Sequence, residues 1–113
     1  MTEIEKKNII QILTERIKSN FDVNDIILFG SYFKKTTDSD SDIDLVVILN
    51  ERGIAVDYNE KLNRRKKVSH LLDDIRKRIP LDILVYTIDE WERLQQINSS
   101  FIKEINLNGI SIA

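Results

Sequence analysis

The run Ile43-Asp44-Leu45-Val46-Val47-Ile48-Leu49 constrains this chain more than any other segment. After Asp44 every position is apolar, so both faces of a strand built from it must be covered, which places that strand in the middle of a sheet. Two other apolar runs can pair with it. Asp25 to Phe29 ends at Gly30 and reads as a buried strand. Leu81 to Tyr86 follows Pro80, which stands just outside a strand start, where its missing N–H matters least. Ile110-Ser111-Ile112 supplies a last edge strand.

Helical spacing fills the intervals. Ile10, Leu13 and Ile17, widened by Ile9 and Ile12, form the stripe of a first helix, which Thr2 and Glu5 open as a capping box and Ser19-Asn20 close. Asp57 and Glu60 repeat the capping pattern ahead of one long helix reaching about Arg78, with a core face of Val68, Leu71, Leu72, Ile75 and Ile79. Two shorter helices follow. Thr87 to Gln95 opens on Thr87 and Glu90, and Ser99 to Leu107 is stopped by Asn108-Gly109, as a glycine at C′ stops helices. The order α-β-β-α-β-α-α describes one α/β (α+β) domain over residues 1–113, a small mixed β-sheet with helices packed on it.

Composition narrows the chemistry. The chain has no cysteine, which removes disulfides, thiol catalysis and Cys-based zinc sites. Its net charge of −2 argues against a protein held to nucleic acid by bulk charge, and no direct stable nucleic-acid binding is expected. The charged start Met1-Thr2-Glu3-Ile4-Glu5-Lys6-Lys7 precedes no long apolar run, and no stretch has the length of a membrane span, so the expected address is the cytoplasm.

Three features stand at strand ends: Gly30-Ser31 after the first, Asp42-Ile43-Asp44 at the start of the second, and Asp82 at the start of the third. An antiparallel first pair puts Gly30-Ser31 beside Asp42 and Asp44. A helical crossover then returns the chain, so the third strand starts at the same end, parallel to the second. Asp42 and Asp44, two residues apart on a strand, point the same way. Three carboxylates in one small space repel unless cations join them, and carboxylates without His or Cys select hard ions such as Mg²⁺ or Mn²⁺. A pair of such ions stabilises both oxygens of an in-line phosphoryl displacement. Gly30 allows close approach of backbone to a phosphate, Ser31 adds a hydroxyl and a cap, and Lys34 and Lys35 add charge.

Gly30-Ser31, ten intervening residues and then Asp42-x-Asp44 resembles the signature of the DNA polymerase beta-type nucleotidyltransferase superfamily, with Asp82 matching its third carboxylate. Within that superfamily the chain is most similar to the minimal nucleotidyltransferases, the antitoxins of pairs with helical HEPN toxins. The resemblance implies a polymerase beta-like catalytic core in which Asp42, Asp44 and Asp82 are catalytic and bind two Mg²⁺ ions, or Mn²⁺. It implies that Asp44 bridges both ions, that Asp82 helps deprotonate the incoming hydroxyl, and that Gly30, Ser31 and Lys34 bind the nucleotide. Relatives often continue Gly-Ser-x-Ala-Arg-Gly, whereas this chain has Gly30-Ser31-Tyr32-Phe33-Lys34-Lys35. Lys34 keeps the arginine's charge without its bidentate fork, and Lys35 replaces a glycine.

Other polar clusters have plainer readings. Asp38, Asp40 and Asp42 alternate as in a calcium loop, but Ile43 and Leu49 stand where that loop needs Gly and Glu, leaving Asp38 and Asp40 as solvated residues. Arg64-Arg65-Lys66-Lys67 spans more than one helical face and reads as solvated surface, against contact with an acidic partner or nucleic-acid acceptor. His70 reads as a structural or surface residue, Trp91 and Phe101 as core, and Tyr32 and Phe33 as packing over the sheet edge.

A metal–triphosphate site takes most of what 113 residues can arrange, so the acceptor hydroxyl is expected on another macromolecule or in a second subunit's pocket. Together with the resemblance this gives an antitoxin that transfers AMP from ATP to a hydroxyl, tyrosine foremost, of a HEPN-type toxin, releasing pyrophosphate. The alternatives are an aminoglycoside-type small-molecule nucleotidyltransferase and a non-catalytic antitoxin that acts by binding.

Overall fold

The computed structural model of the chain describes residues 3–29 and 43–113. The elements are α1 (Glu3–Asn20), β1 (Val23–Phe29), β2 (Ile43–Leu49), α2 (Tyr58–His70), α3 (Asp73–Arg76), β3 (Leu81–Thr87), α4 (Ile88–Ile97), α5 (Ser100–Asn108) and β4 (Ile110–Ser111). The four strands form one mixed sheet in the order β3-β2-β1-β4. β2 is interior, as its double-sided apolar run requires. It pairs antiparallel with β1 and parallel with β3, and β4 adds antiparallel to β1 as the short edge.

The alternation along β2 divides the core in two. Ile43, Leu45, Val47 and Leu49 face a cluster made by Ile9, Leu13 and Ile17 of α1, Val68 of α2, Leu72, Ile75 of α3 and Ile79. Val46 and Ile48 face the other way, toward Ile105, Phe101, Trp91 and Ile88 from α4 and α5. The chain is therefore a three-layer sandwich, with α1 to α3 on one face of the sheet and α4 and α5 on the other. No helix among the described residues is long and apolar enough to cross a membrane.

Several expected details differ for identifiable reasons. The buried stripe of α1 is Ile9, Leu13 and Ile17 at steps of four, with Ile10 half-buried and Ile12 exposed, because only one row of a straight helix meets the sheet. The long helix expected to Arg78 is broken at Leu71-Leu72 into α2 and α3. At the break Arg16 of α1 donates from Nη1 to the Leu71 carbonyl at 3.1 Å and to Asp74 at 2.6 Å, so a partner on another helix serves the carbonyl. The Asp74 carboxyl is held below its usual value chiefly by that hydrogen bond from Arg16. Asp57 caps α2 by accepting from Glu60 N, but Glu60 returns its carboxylate to Val56 N, one residue before the cap. Thr87 and Glu90 make the full reciprocal box. Thr2, the proposed opening cap of α1, lies outside the described residues.

Gly109 ends α5 differently from the expected left-handed C′ residue. Its φ is −68° and ψ 146°, an extended conformation open to any residue. Space is what demands glycine there: an added Cβ would lie 2.5 Å from the Ile105 carbonyl oxygen and 2.8 Å from Ile27 Cγ2. Gly109→Ala is expected to push α5 and β4 off β1 and lower stability by about 1–3 kcal/mol, measured by urea unfolding. An unchanged midpoint would show that the contact relaxes freely.

Candidate active site

Strand register brings the acidic residues together. Asp44 is the direct partner of Asp82 across the parallel β2–β3 pair, and of Phe29 across the antiparallel β1–β2 pair. A hydrogen bond from Ile43 N to the Pro80 carbonyl, 3.0 Å, ties the starts of β2 and β3. Neighbouring strands lie about 4.8 Å apart and register partners share a face, so Asp44 and Asp82 stand side by side. Their face is the α4–α5 side, because Asp44 alternates in phase with Val46 and Ile48 and not with Leu45 and Val47. Phe29 completes the row and meets Phe101 of α5 edge-on, ring centres 5.6 Å apart, which closes that side with apolar surface.

Asp44 is half-buried and the Asp82 side chain is 57% exposed, so the pair sits at a rim open to a ligand. Gly30 and Ser31 follow Phe29 directly in the chain, and Asp42 directly precedes Ile43. These three and Lys34 lie outside the described residues, as do Tyr32, Phe33, Lys35, Asp38 and Asp40. Among the described residues no group of three or more His, Cys, Asp or Glu side chains gathers as a metal cluster. The two described members of the expected triad, Asp44 and Asp82, are brought together. Their donor set, carboxylate oxygens with no nitrogen or sulfur, fits a hard divalent ion.

Two arginines from the basic run of α2 enter this region; Arg65, Lys66 and Lys67 are exposed, as the reading of that run as solvated surface expects, and Arg64 alone departs from it by turning inward. Arg65 Nη2 donates to Asp82 Oδ1 at 3.0 Å, with both side chains about half exposed. Arg64 turns inward and donates from Nη1 to Glu90 Oε1 at 2.5 Å, with side chains only 13% and 5% exposed. Glu90 also accepts from the N–H groups of Thr87 and Ala55, each at 2.9 Å. Burial pushes the Glu90 carboxyl up, but those two N–H donors and the Arg64 charge outweigh it and hold the group below its ordinary value. The segment before α2 is pinned to α4 by the same set: Asp89 accepts from Gly53 N at 2.6 Å and Arg52 at 2.8 Å, and Thr87 Oγ1 donates to the Gly53 carbonyl at 2.6 Å. The Asp89 carboxyl is accordingly held low, first by the Gly53 N–H and then by Arg52.

Tyr86 lies four residues beyond Asp82 on the same face of β3, its ring 5.7 Å from that of Trp91. Burial raises its hydroxyl pKa, Glu90 raises it further, and Arg65 offsets part of the rise. Trp91 and Phe101 pack on the second core, as expected. His70 is exposed and 3.1 Å from Asp73, a surface pair.

The family model described as a nucleotidyltransferase domain matches residues 7–107 of the chain. None of the curated proteins compared with the chain matches it. Among solved structures it is similar to a toxin–antitoxin with AMP-PNP, at 21% identity, with 92% of this chain and 69% of that one covered and a TM-score of 0.47. Two mutants of the toxin–antitoxin MntA-HpeT are also similar, at 18% and 16% identity, each with a TM-score of 0.44. They cover 91% and 89% of this chain, and 69% of each of those chains is covered.

Proposed function

Since the chain belongs to the nucleotidyltransferase domain family, we propose that it transfers AMP from ATP to a protein hydroxyl, with Asp42, Asp44 and Asp82 as its catalytic carboxylates. The single observation that carries this reading is the register pairing of Asp44 with Asp82 at an open strand end. A bound pair of Mg²⁺ or Mn²⁺ ions supplies charge neutralisation to the triphosphate and to the attacking oxygen. Asp42 and Asp44 hold the metal–triphosphate side, and Gly30, Ser31 and Lys34 grip the nucleotide. Asp82 orients the acceptor hydroxyl and takes its proton as the new oxygen–phosphorus bond forms. The bond between the α-phosphorus and the bridging oxygen breaks, and pyrophosphate leaves with its electron pair.

The acceptor in this reading is a tyrosine of a HEPN-type toxin, an assignment supported by the motif resemblance. An added AMP would bring bulk and negative charge to a surface that engages RNA. Incubating the chain with the toxin, ATP and Mg²⁺ is expected to add the mass of AMP to the toxin, read by intact-mass spectrometry. No added mass with any nucleoside triphosphate would overturn the reading. Protection by an Asp42→Ala, Asp44→Ala double variant would establish an antitoxin that acts by binding alone.

A further inference from the structure

We propose that Arg65 is a built-in counter-ion for Asp82 that competes with the divalent cation, and so sets the cation concentration at which the site fills. The inference rests on the reading of Asp82 as a cation ligand. Its independent basis is the contact itself: Arg65 reaches from α2 to the edge strand and places Nη2 3.0 Å from Oδ1 of Asp82, the register partner of Asp44.

Arg65 is held in position to do this. Its neighbour Arg64 is anchored in the buried carboxylate of Glu90, which is fixed in turn by the Thr87 and Ala55 N–H groups. That anchor fixes α2 along the β3 edge, with Val68 one turn further on buried in the core. From the next position Arg65 reaches Asp82 on the neighbouring strand. A guanidinium cannot be discharged near neutral pH, so only displacement frees the oxygen it holds. A cation arriving at Asp82 must break that ion pair and then lie near the remaining positive charge. Without a cation, the same arginine relieves the repulsion between Asp82 and Asp44. Arg65 is thus a positioning residue that stabilises the cation-free site and opposes its filling.

Both side chains are about half exposed, so the effect is modest and sensitive to salt. The test uses the full chain and Mn²⁺ alone, by calorimetric or electron paramagnetic resonance titration. Arg65→Gln is expected to bind Mn²⁺ about three- to fivefold more tightly than the wild type. Arg65→Lys, which keeps the charge, should stay within about twofold, and the gap to Arg65→Gln should narrow as KCl is added. Unchanged or weaker binding by Arg65→Gln, or equal tightening by Arg65→Lys, would overturn the proposal while leaving the cation site standing. Absence of Mn²⁺ binding by the wild type and both variants would overturn the proposal together with the reading of Asp44 and Asp82 as ligands.

Discussion

Glu90→Ala is expected to lower the stability of the chain by about 3–5 kcal/mol, because it leaves the largely buried Arg64 guanidinium with only the half-exposed Glu60, 3.8 Å away, as counter-charge. The Ala55 and Thr87 N–H groups lose their acceptor in the same step. The loss exceeds that of a surface ion pair, since Glu90 is 5% exposed and three separate chain segments converge on it. For a chain of this length it corresponds to a fall in Tm of about 12–20 °C, read by circular dichroism. A shift of one or two degrees would mean that water reaches Arg64 and the pair is effectively exposed.

Acid dependence follows from the same carboxylate. Its folded pKa lies below the ordinary value of 4.5, so the folded state binds the proton less readily than the unfolded chain. The stability it contributes is complete above 4.5 and is lost as pH falls through the lower folded value. Glu90→Gln should therefore flatten this part of the acid limb of the stability profile as well as lower the whole curve.

Much of the fold was legible because the decisive signals were local. The Ile43–Leu49 run, apolar on both faces, became the interior strand with those limits. Strand ends at Phe29, Asp44 and Asp82 then required one shared edge, and the register shows it for all three. What the sequence hid were contacts made by long side chains across elements. At the break, the Leu71 carbonyl accepts from Arg16, 55 positions away, and helical periodicity continues through it undisturbed. Arg64 and Arg65, adjacent in a run that reads as solvent-facing, part toward Glu90 and Asp82 because α2 lies along the sheet edge. The pairing of acidic Glu90 with a basic run was the available signal, but its capping-box role already accounted for that glutamate. Gly109 stood at the expected helix end, for a steric reason that no local pattern carries. The site readings for Gly30, Ser31, Lys34 and Asp42 fall outside the described residues and remain part of the proposal.

The largest functional effect is expected from the paired aspartates. Asp44→Asn and Asp82→Asn preserve shape while removing charge, and Asp82 is open enough that the fold should not notice the change. If these carboxylates hold the ions that stabilise the departing and attacking oxygens, each substitution removes several kcal/mol of transition-state stabilisation. Transfer should then fall by about a thousandfold, with Tm nearly unchanged. The two losses should not add, since one ion site incomplete is enough to halt the displacement. Loss of activity with loss of fold would say nothing about catalysis, so thermal melts accompany the rates.

Crystals of the chain grown with Mn²⁺ and a non-hydrolysable ATP analogue test the central claim most directly, through anomalous scattering at the manganese edge. The account predicts manganese bound by carboxylate oxygens of both Asp44 and Asp82, with the triphosphate on the same rim. Manganese and nucleotide settling elsewhere, with Asp82 still bound to Arg65 alone, would contradict it.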